Sequence, residues 1–320
     1  MLLLGPLNSP PKEWKEIEDI AETLVVSSQD RAEFIHDLKT KYREIVAIYG
    51  GRSIPIGRID AELIDNFPPS LKFITHFGAG YDRVDIKALH KRGIQYSNTP
   101  VVFDETVADT GLYLLLGAIR NFSRAAYELR ESKFKGATTR GNDPAGKTLG
   151  IVGLGGIGKA FRDKVAGLNF AKILYNNRSR LPKEVEKGAE YKEFEELLAQ
   201  SDIIFISVPL SESTHHLFNA ETLAKTKKGV IIVNIARGAV IDESALVDSL
   251  ESGHVKSVGL DVFENEPKVH PKLLNNRDVT LLPHIGGFTE EGQLRVQLRA
   301  IANLKSALTR GKLIDPVSPN

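Results

Sequence analysis

The sequence predicts an α/β protein of two domains, each with a parallel sheet at its centre. Three observations carry that expectation. At 320 residues the chain is long enough for two domains of roughly 100–200 residues each. Short apolar, β-branched runs alternate with amphipathic stretches along its whole length, which is the pattern of strands and helices in turn. A glycine-rich turn, Gly153-Leu-Gly-Gly-Ile-Gly158, follows one such run directly and opens a helix.

In the first third, 23–26, 45–49, 72–75 and 94–97 read as buried strands, because runs this short, bounded by Gly, Pro or Asn, suit a sheet covered on both faces. The charged, helically spaced stretches 30–42 and 86–92 lie between them. Pro100 restricts the residue before it and marks a natural crossover between domains. Beyond it, 107–120 reads as a long, largely buried helix. Further strands are expected at 148–152, 172–176, 202–208, 229–234, 257–262 and 279–282, which suits a doubly wound nucleotide-binding sheet. A last helix covers 290–309, with Leu294, Leu298, Ile301 and Leu304 on one face, and the tail from Asp315 is a loop.

Composition narrows the function classes. Apolar residues make up 42% and charged residues 26%, as in ordinary soluble proteins, so two cores can be buried. Lys+Arg is 42 against Asp+Glu 41, which gives no electrostatic case for nucleic acid or an anionic membrane as partner. Cysteine is absent, excluding disulfides, thiolate metal sites and a cysteine nucleophile. No metal site is expected. The first residues lack the basic flank and long apolar core of a signal peptide. The longest nearly apolar stretch, 111–119, falls short of the roughly 20 residues that span a bilayer. A cytoplasmic location is expected.

The glycine turn has a physical logic of its own. Gly153 permits the tight turn, Gly155 lets backbone approach a pyrophosphate, and Gly158 lets the helix pack closely on the strand. The helix N-terminus offers N–H groups and a positive dipole end to phosphates. A dinucleotide site follows. The next strand bears on which dinucleotide, since an NAD site usually places Asp or Glu about 20 residues on. Here Asn176 is followed by Asn177, Arg178, Ser179 and Arg180. No carboxylate stands there to repel a 2′-phosphate, and guanidinium groups can bind one. NADPH is the expected cofactor, with NADH as the alternative.

Three charged residues fall just past strand-like runs, where open α/β sheets bind ligands. They are Arg237, Glu266 and His284. Arg237 can hold a carboxylate bidentately, and His284 can protonate a carbonyl oxygen while hydride arrives. Glu266, hydrogen-bonded to His284, would fix its orientation.

With these residues in view, the chain resembles the D-isomer-specific 2-hydroxyacid dehydrogenase family over essentially its full length. The resemblance rests on ordered blocks at 77–85, 105–109, 153–158, 233–238, 259–267 and 282–287. It implies two Rossmann-like or flavodoxin-like domains with the active site in the cleft between them. The substrate domain would be discontinuous, 1–100 plus 290–320, and the cofactor domain 101–289. It implies Arg237 as substrate binder, Glu266 as partner of the acid/base, His284 as the acid/base, and the backbone of Ala79 and Gly80 as a carboxylate anchor. Family positions around the cofactor fall on Gly155, Gly156, Ile157, Thr106, Val208, Pro209, Thr214, Ile235, Ala236, Asp261 and Gly286. Phe77, Tyr81 and Arg52 are candidates for lining the substrate pocket.

The implied activity is reduction of a 2-oxo acid, such as glyoxylate, hydroxypyruvate or a bulkier arylpyruvate, to the D-2-hydroxy acid. The pattern 176–180 is similar to that of NADPH-using glyoxylate/hydroxypyruvate reductases, whereas many NAD-using members have an acidic residue at Asn176. A homodimer paired through the cofactor domain is also implied. The same family includes dinucleotide-sensing corepressors, so a binding protein on this fold is the alternative.

Overall fold

A computed structural model describes residues 1–7, 10–50, 56–134 and 139–319. The chain divides into two compact units, Met1–Phe103 with Thr289–Asn320, and Asp104–Phe288.

The first unit is built on strands β1 (Leu2–Leu3), β2 (Leu24–Val25), β3 (Ala47–Gly50), β4 (Phe73–His76) and β5 (Gln95–Ser97). Their spatial order is β2-β1-β3-β4-β5, with every pair parallel. This is the flavodoxin-like order of a doubly wound sheet. β1 was not anticipated. Its two residues are too few to show a period, yet Leu2 pairs with both Leu24 and Ile48. β2, expected to be buried, is an edge strand instead, and Val25 is 49% exposed.

Alternate residues of this sheet enter different cores. Leu2, Ile48 and Ile74 pack with Phe34 and Leu38 of the helix Arg31–Lys39. Leu3, Ala47 and Tyr49 pack with Ala300, Ile301 and Leu304 of the helix Glu290–Arg310. That contact is why the C-terminal helix belongs to the N-terminal unit. Its buried line runs through Val296, Ala300, Ile301, Leu304 and Ala307. Leu294 is off that line and 48% exposed, because two residues rotate the chain by about 200° around a helix.

The second unit holds β6 (Thr148–Val152), β7 (Lys172–Asn176), β8 (Glu190–Tyr191), β9 (Ile203–Ile206), β10 (Val230–Asn234), β11 (Val255–Leu260) and β12 (Thr280–Leu281). The order is β12-β11-β10-β9-β6-β7-β8, all parallel. β8 is one strand more than the sequence showed, a two-residue edge without an apolar run. Both faces of the sheet are covered: Ile203 and Phe205 enter one core, Ile204 and Ile206 the other. The helix Asp104–Arg120 lies in the first of these cores through Ala108, Leu114, Leu115 and Ala118.

The chain runs outward from β6 to β7 and β8, then crosses back to β9 on the other side of β6 and continues outward from there. A crevice opens at such a reversal, beyond the carboxyl ends of the strands. No helix among the described residues is long and apolar enough to cross a membrane.

Candidate active site

The glycine turn sits at the carboxyl end of β6, at the reversal of strand order. Gly153 has φ +100°, and a Cβ there would lie 2.9 Å from the backbone of Ser207 and Val208. A Cβ at Gly158 would meet the Gly153 carbonyl oxygen at 2.2 Å, so helix and turn touch backbone to backbone. Gly155 differs, with nothing within 4 Å of its Cβ position. It precedes the helix Gly156–Lys164, whose N-cap makes no side-chain bond. Open space before uncapped helix amides is what a pyrophosphate needs, so these residues fit a dinucleotide.

One acid beside this cradle was not anticipated. The Asp104 carboxylate lies against Gly156, where any Cβ would overlap it. Burial pushes Asp104 up, against the pull of Lys159. Nothing local in the sequence separates Asp104 from its acidic neighbours Glu105 and Asp109.

Past β7, Asn177 accepts the Leu154 N–H at 2.7 Å and so braces the glycine turn. Arg180 is engaged as well, its Nε 2.9 Å from Glu186 Oε1. Arg178 and Ser179 are exposed, with no hydrogen bond or ion pair among the described residues. Of the two guanidiniums expected at this corner, Arg180 is paired with a carboxylate and Arg178 is not.

The strand-end triad has defined geometry in one part. His284 Nδ1 donates to Glu266 Oε2 at 2.8 Å, and Glu266 Oε1 accepts the Phe263 N–H at 3.2 Å. The bond occupies Nδ1 and leaves Nε2 as the atom that can hand over a proton. His284 has φ +57°, a left-handed backbone that a non-glycine residue adopts at a cost of about 1–3 kcal/mol. Asp261 holds it there. One carboxylate oxygen accepts the Ile285 N–H and the other the Gly286 N–H, each at 2.8 Å. Arg237 follows β10, with NH1 donating to the Ala236 carbonyl at 2.7 Å, and Asn234 accepts the Ala236 N–H at 3.0 Å.

A second histidine–carboxylate pair, missed at the level of sequence, braces the segment that carries Glu266. His216 Nε2 lies 2.7 Å from Glu264 Oε1. Glu264 and Glu243 then exchange bonds, each accepting the other's N–H at 3.1 Å, and Glu243 also accepts the His270 N–H at 3.0 Å.

Most of the other positions expected around the cofactor follow strands of this sheet. Ser207 donates to the Gly153 carbonyl at 2.6 Å, which places Val208 and Pro209 directly past β9. Thr214 donates to the Pro209 carbonyl at 2.6 Å and orders that loop. Ile235 and Ala236 follow β10, and Thr106 is buried in the helix Asp104–Arg120.

In the first unit, the loop after β4 is tied down by Asn98, which donates to the Ala79 carbonyl at 2.7 Å, and by the Thr99 N–H on the Gly78 carbonyl at 3.0 Å. The N–H groups of Ala79 and Gly80 donate to nothing among the described residues. Phe77 and Tyr81 are partly buried, Tyr81 with its ring edge toward Tyr96. Arg52 lies outside the described residues.

Residues 112–286 match the model of the NAD binding domain of D-isomer specific 2-hydroxyacid dehydrogenases. The chain belongs to this family. As a 2-hydroxyacid dehydrogenase it is an oxidoreductase that uses a nicotinamide dinucleotide between 2-oxo and 2-hydroxy acids. It is 44% identical over 316 residues to 4-methyl-2-oxopentanoate reductase A of Aspergillus oryzae, covering 98% of this chain and 96% of that one. It is similar to a glyoxylate reductase from Paecilomyes thermophila, whose crystal structure gives a TM-score of 0.95 at 43% identity, covering 99% of this chain and 97% of that one. An NADPH-dependent glyoxylate/hydroxypyruvate reductase from Sinorhizobium meliloti, solved with NADP and malonate, gives 0.87 at 31% identity, covering 99% and 95%.

Proposed function

We propose that this dehydrogenase works as an NADPH-preferring reductase that turns a short 2-oxo acid into its D-2-hydroxy acid. The observation that carries this reading is the 2.8 Å bond from His284 to Glu266 at a strand end next to that of Arg237. When bound, the reduced nicotinamide supplies the hydride. Arg237 binds the acid's carboxylate and draws electron density from the adjoining carbonyl. His284 delivers its Nε2 proton to the carbonyl oxygen as C2 becomes tetrahedral, and Glu266 stabilises the imidazolium beforehand. Reduction takes up one proton overall, so its equilibrium is favoured toward acid and that of oxidation toward alkali.

The cofactor preference is supported by Arg178 and by the missing carboxylate at Asn176. Relatives named for glyoxylate, hydroxypyruvate and 4-methyl-2-oxopentanoate support small aliphatic 2-oxo acids, and a structurally similar D-mandelate dehydrogenase supports a bulkier aryl acid as the alternative. A homodimer through the unit Asp104–Phe288 is part of the proposal, supported by exposed Leu129 and Phe134 beyond the long helix. His284→Ala tests the chemistry. We expect cofactor affinity to persist while turnover falls by about 10²–10⁴-fold. Near-normal turnover would remove His284 as the donor.

A further inference from the structure

The corner that presents Arg178 has a second layer of bonding that the proposed chemistry does not use. The loop 177–181 is pinned at its start by Asn177 on the Leu154 N–H. At its far end it is pinned by Tyr175, which is 0% exposed. The Tyr175 hydroxyl accepts the Leu181 N–H at 2.9 Å and donates to Glu186 Oε1 at 2.8 Å. The same carboxylate receives Arg180 through Nε at 2.9 Å and NH2 at 3.3 Å. Arg180 and Tyr175 together hold Glu186 below the usual carboxylate range. Arg162 completes the frame. It is 4% exposed and donates to the Val185 carbonyl at 2.6 Å, tying the short helix Lys183–Glu186 to the helix Gly156–Lys164 behind the phosphate cradle.

We propose that Tyr175, Glu186 and Arg180 form a clamp that sets the preference for NADPH over NADH by holding the loop from which Arg178 projects. This inference rests on the NADPH reading above. An arginine on a loose loop loses backbone freedom when it takes a phosphate, and that loss is subtracted from affinity. A loop already closed at both ends has less to lose. NADH carries a hydroxyl in place of the 2′-phosphate and gains little from Arg178. Loosening the loop is therefore felt by NADPH selectively. Tyr175 is wholly buried and cannot touch the cofactor, so it acts only as a positioning residue.

The test is a comparison of KM and kcat for both cofactors in the full-length enzyme. Tyr175→Phe removes one hydroxyl and keeps the ring. Its KM for NADPH is expected to rise about fivefold or more through lost preorganisation. Its kcat and its KM for NADH should stay within about twofold of the unmodified enzyme, the size of effect that preorganisation of this loop alone leaves untouched. Equal rises for both cofactors, or none, would overturn the clamp. Arg180→Gln, at a side chain 58% exposed, carries the same test without burdening the fold. The double variant should be no worse than the stronger single one, because both changes release the same loop. Additive losses would mean that Arg180 meets the phosphate itself, and would also overturn the clamp. If the unmodified enzyme shows no preference for NADPH, the underlying reading falls and the clamp with it. Failure of the clamp alone leaves that preference intact while the variants do not change it.

Discussion

His284 is held in a left-handed backbone, and the residue that pins it is Asp261, 1% exposed, with both oxygens on consecutive N–H groups. Asp261→Asn would turn an amide NH2 against one of those N–H groups. A buried mismatch of this kind costs about 1–3 kcal/mol. We expect a lower melting temperature and a larger fall in kcat than in cofactor affinity. A variant with unchanged kcat would show that the peptide after His284 needs no such support. The bond between His284 and Glu266, and the place of Arg237 directly after β10, join candidates that the sequence offered because each follows a strand-like run. Asp104 and the His216–Glu264 pair were not legible there. Their partners lie 52 and 48 residues away, Gly156 and Glu264, and only the fold brings them together.

At the scale of an element, the glycine turn and its helix separate two jobs that the motif combines. Gly158 serves packing, and Gly155 is the position proposed to face the ligand. Gly158→Ala forces a methyl onto a carbonyl oxygen 2.2 Å away, so it should destabilise the unit by about 1–3 kcal/mol, as overpacking does. Gly155→Ala meets nothing within 4 Å and should leave the melting temperature alone. It should weaken the dinucleotide on the order of tenfold, ~1.4 kcal/mol, by occupying the phosphate approach. Thermal melts with and without NADP⁺ separate the two, and a stability loss in Gly155→Ala would contradict this division. Buried strands such as β9 and β10 were readable because both faces are covered and their sequences, Ile-Ile-Phe-Ile and Val-Ile-Ile-Val-Asn, are almost wholly apolar. β1 and β8, two residues each, carried no pattern to read, and β2 was misjudged because an apolar pair looks the same at an edge.

At the scale of the whole molecule, each unit buries its own core on both faces of its sheet, and the chemistry is assigned to residues that those sheets position. The exposed apolar side chains after the long helix, Leu129 at 61% and Phe134 at 82%, are the proposed dimer contact. Sedimentation should report a dimer, and Leu129→Asp with Phe134→Asp should give monomers. A monomer in the unmodified protein would sink that part of the proposal. The proposed activity is reduction of a 2-oxo acid with NADPH, through His284 and with Arg178 choosing the cofactor. The most direct measurement is kcat/KM for glyoxylate, hydroxypyruvate and 4-methyl-2-oxopentanoate, each with NADPH and with NADH, in the unmodified enzyme and in Arg178→Ala. Turnover should strongly favour NADPH, with Arg178→Ala losing the NADPH advantage and leaving NADH nearly unchanged. Turnover with NADH alone, or an equal loss for both cofactors in Arg178→Ala, would contradict it.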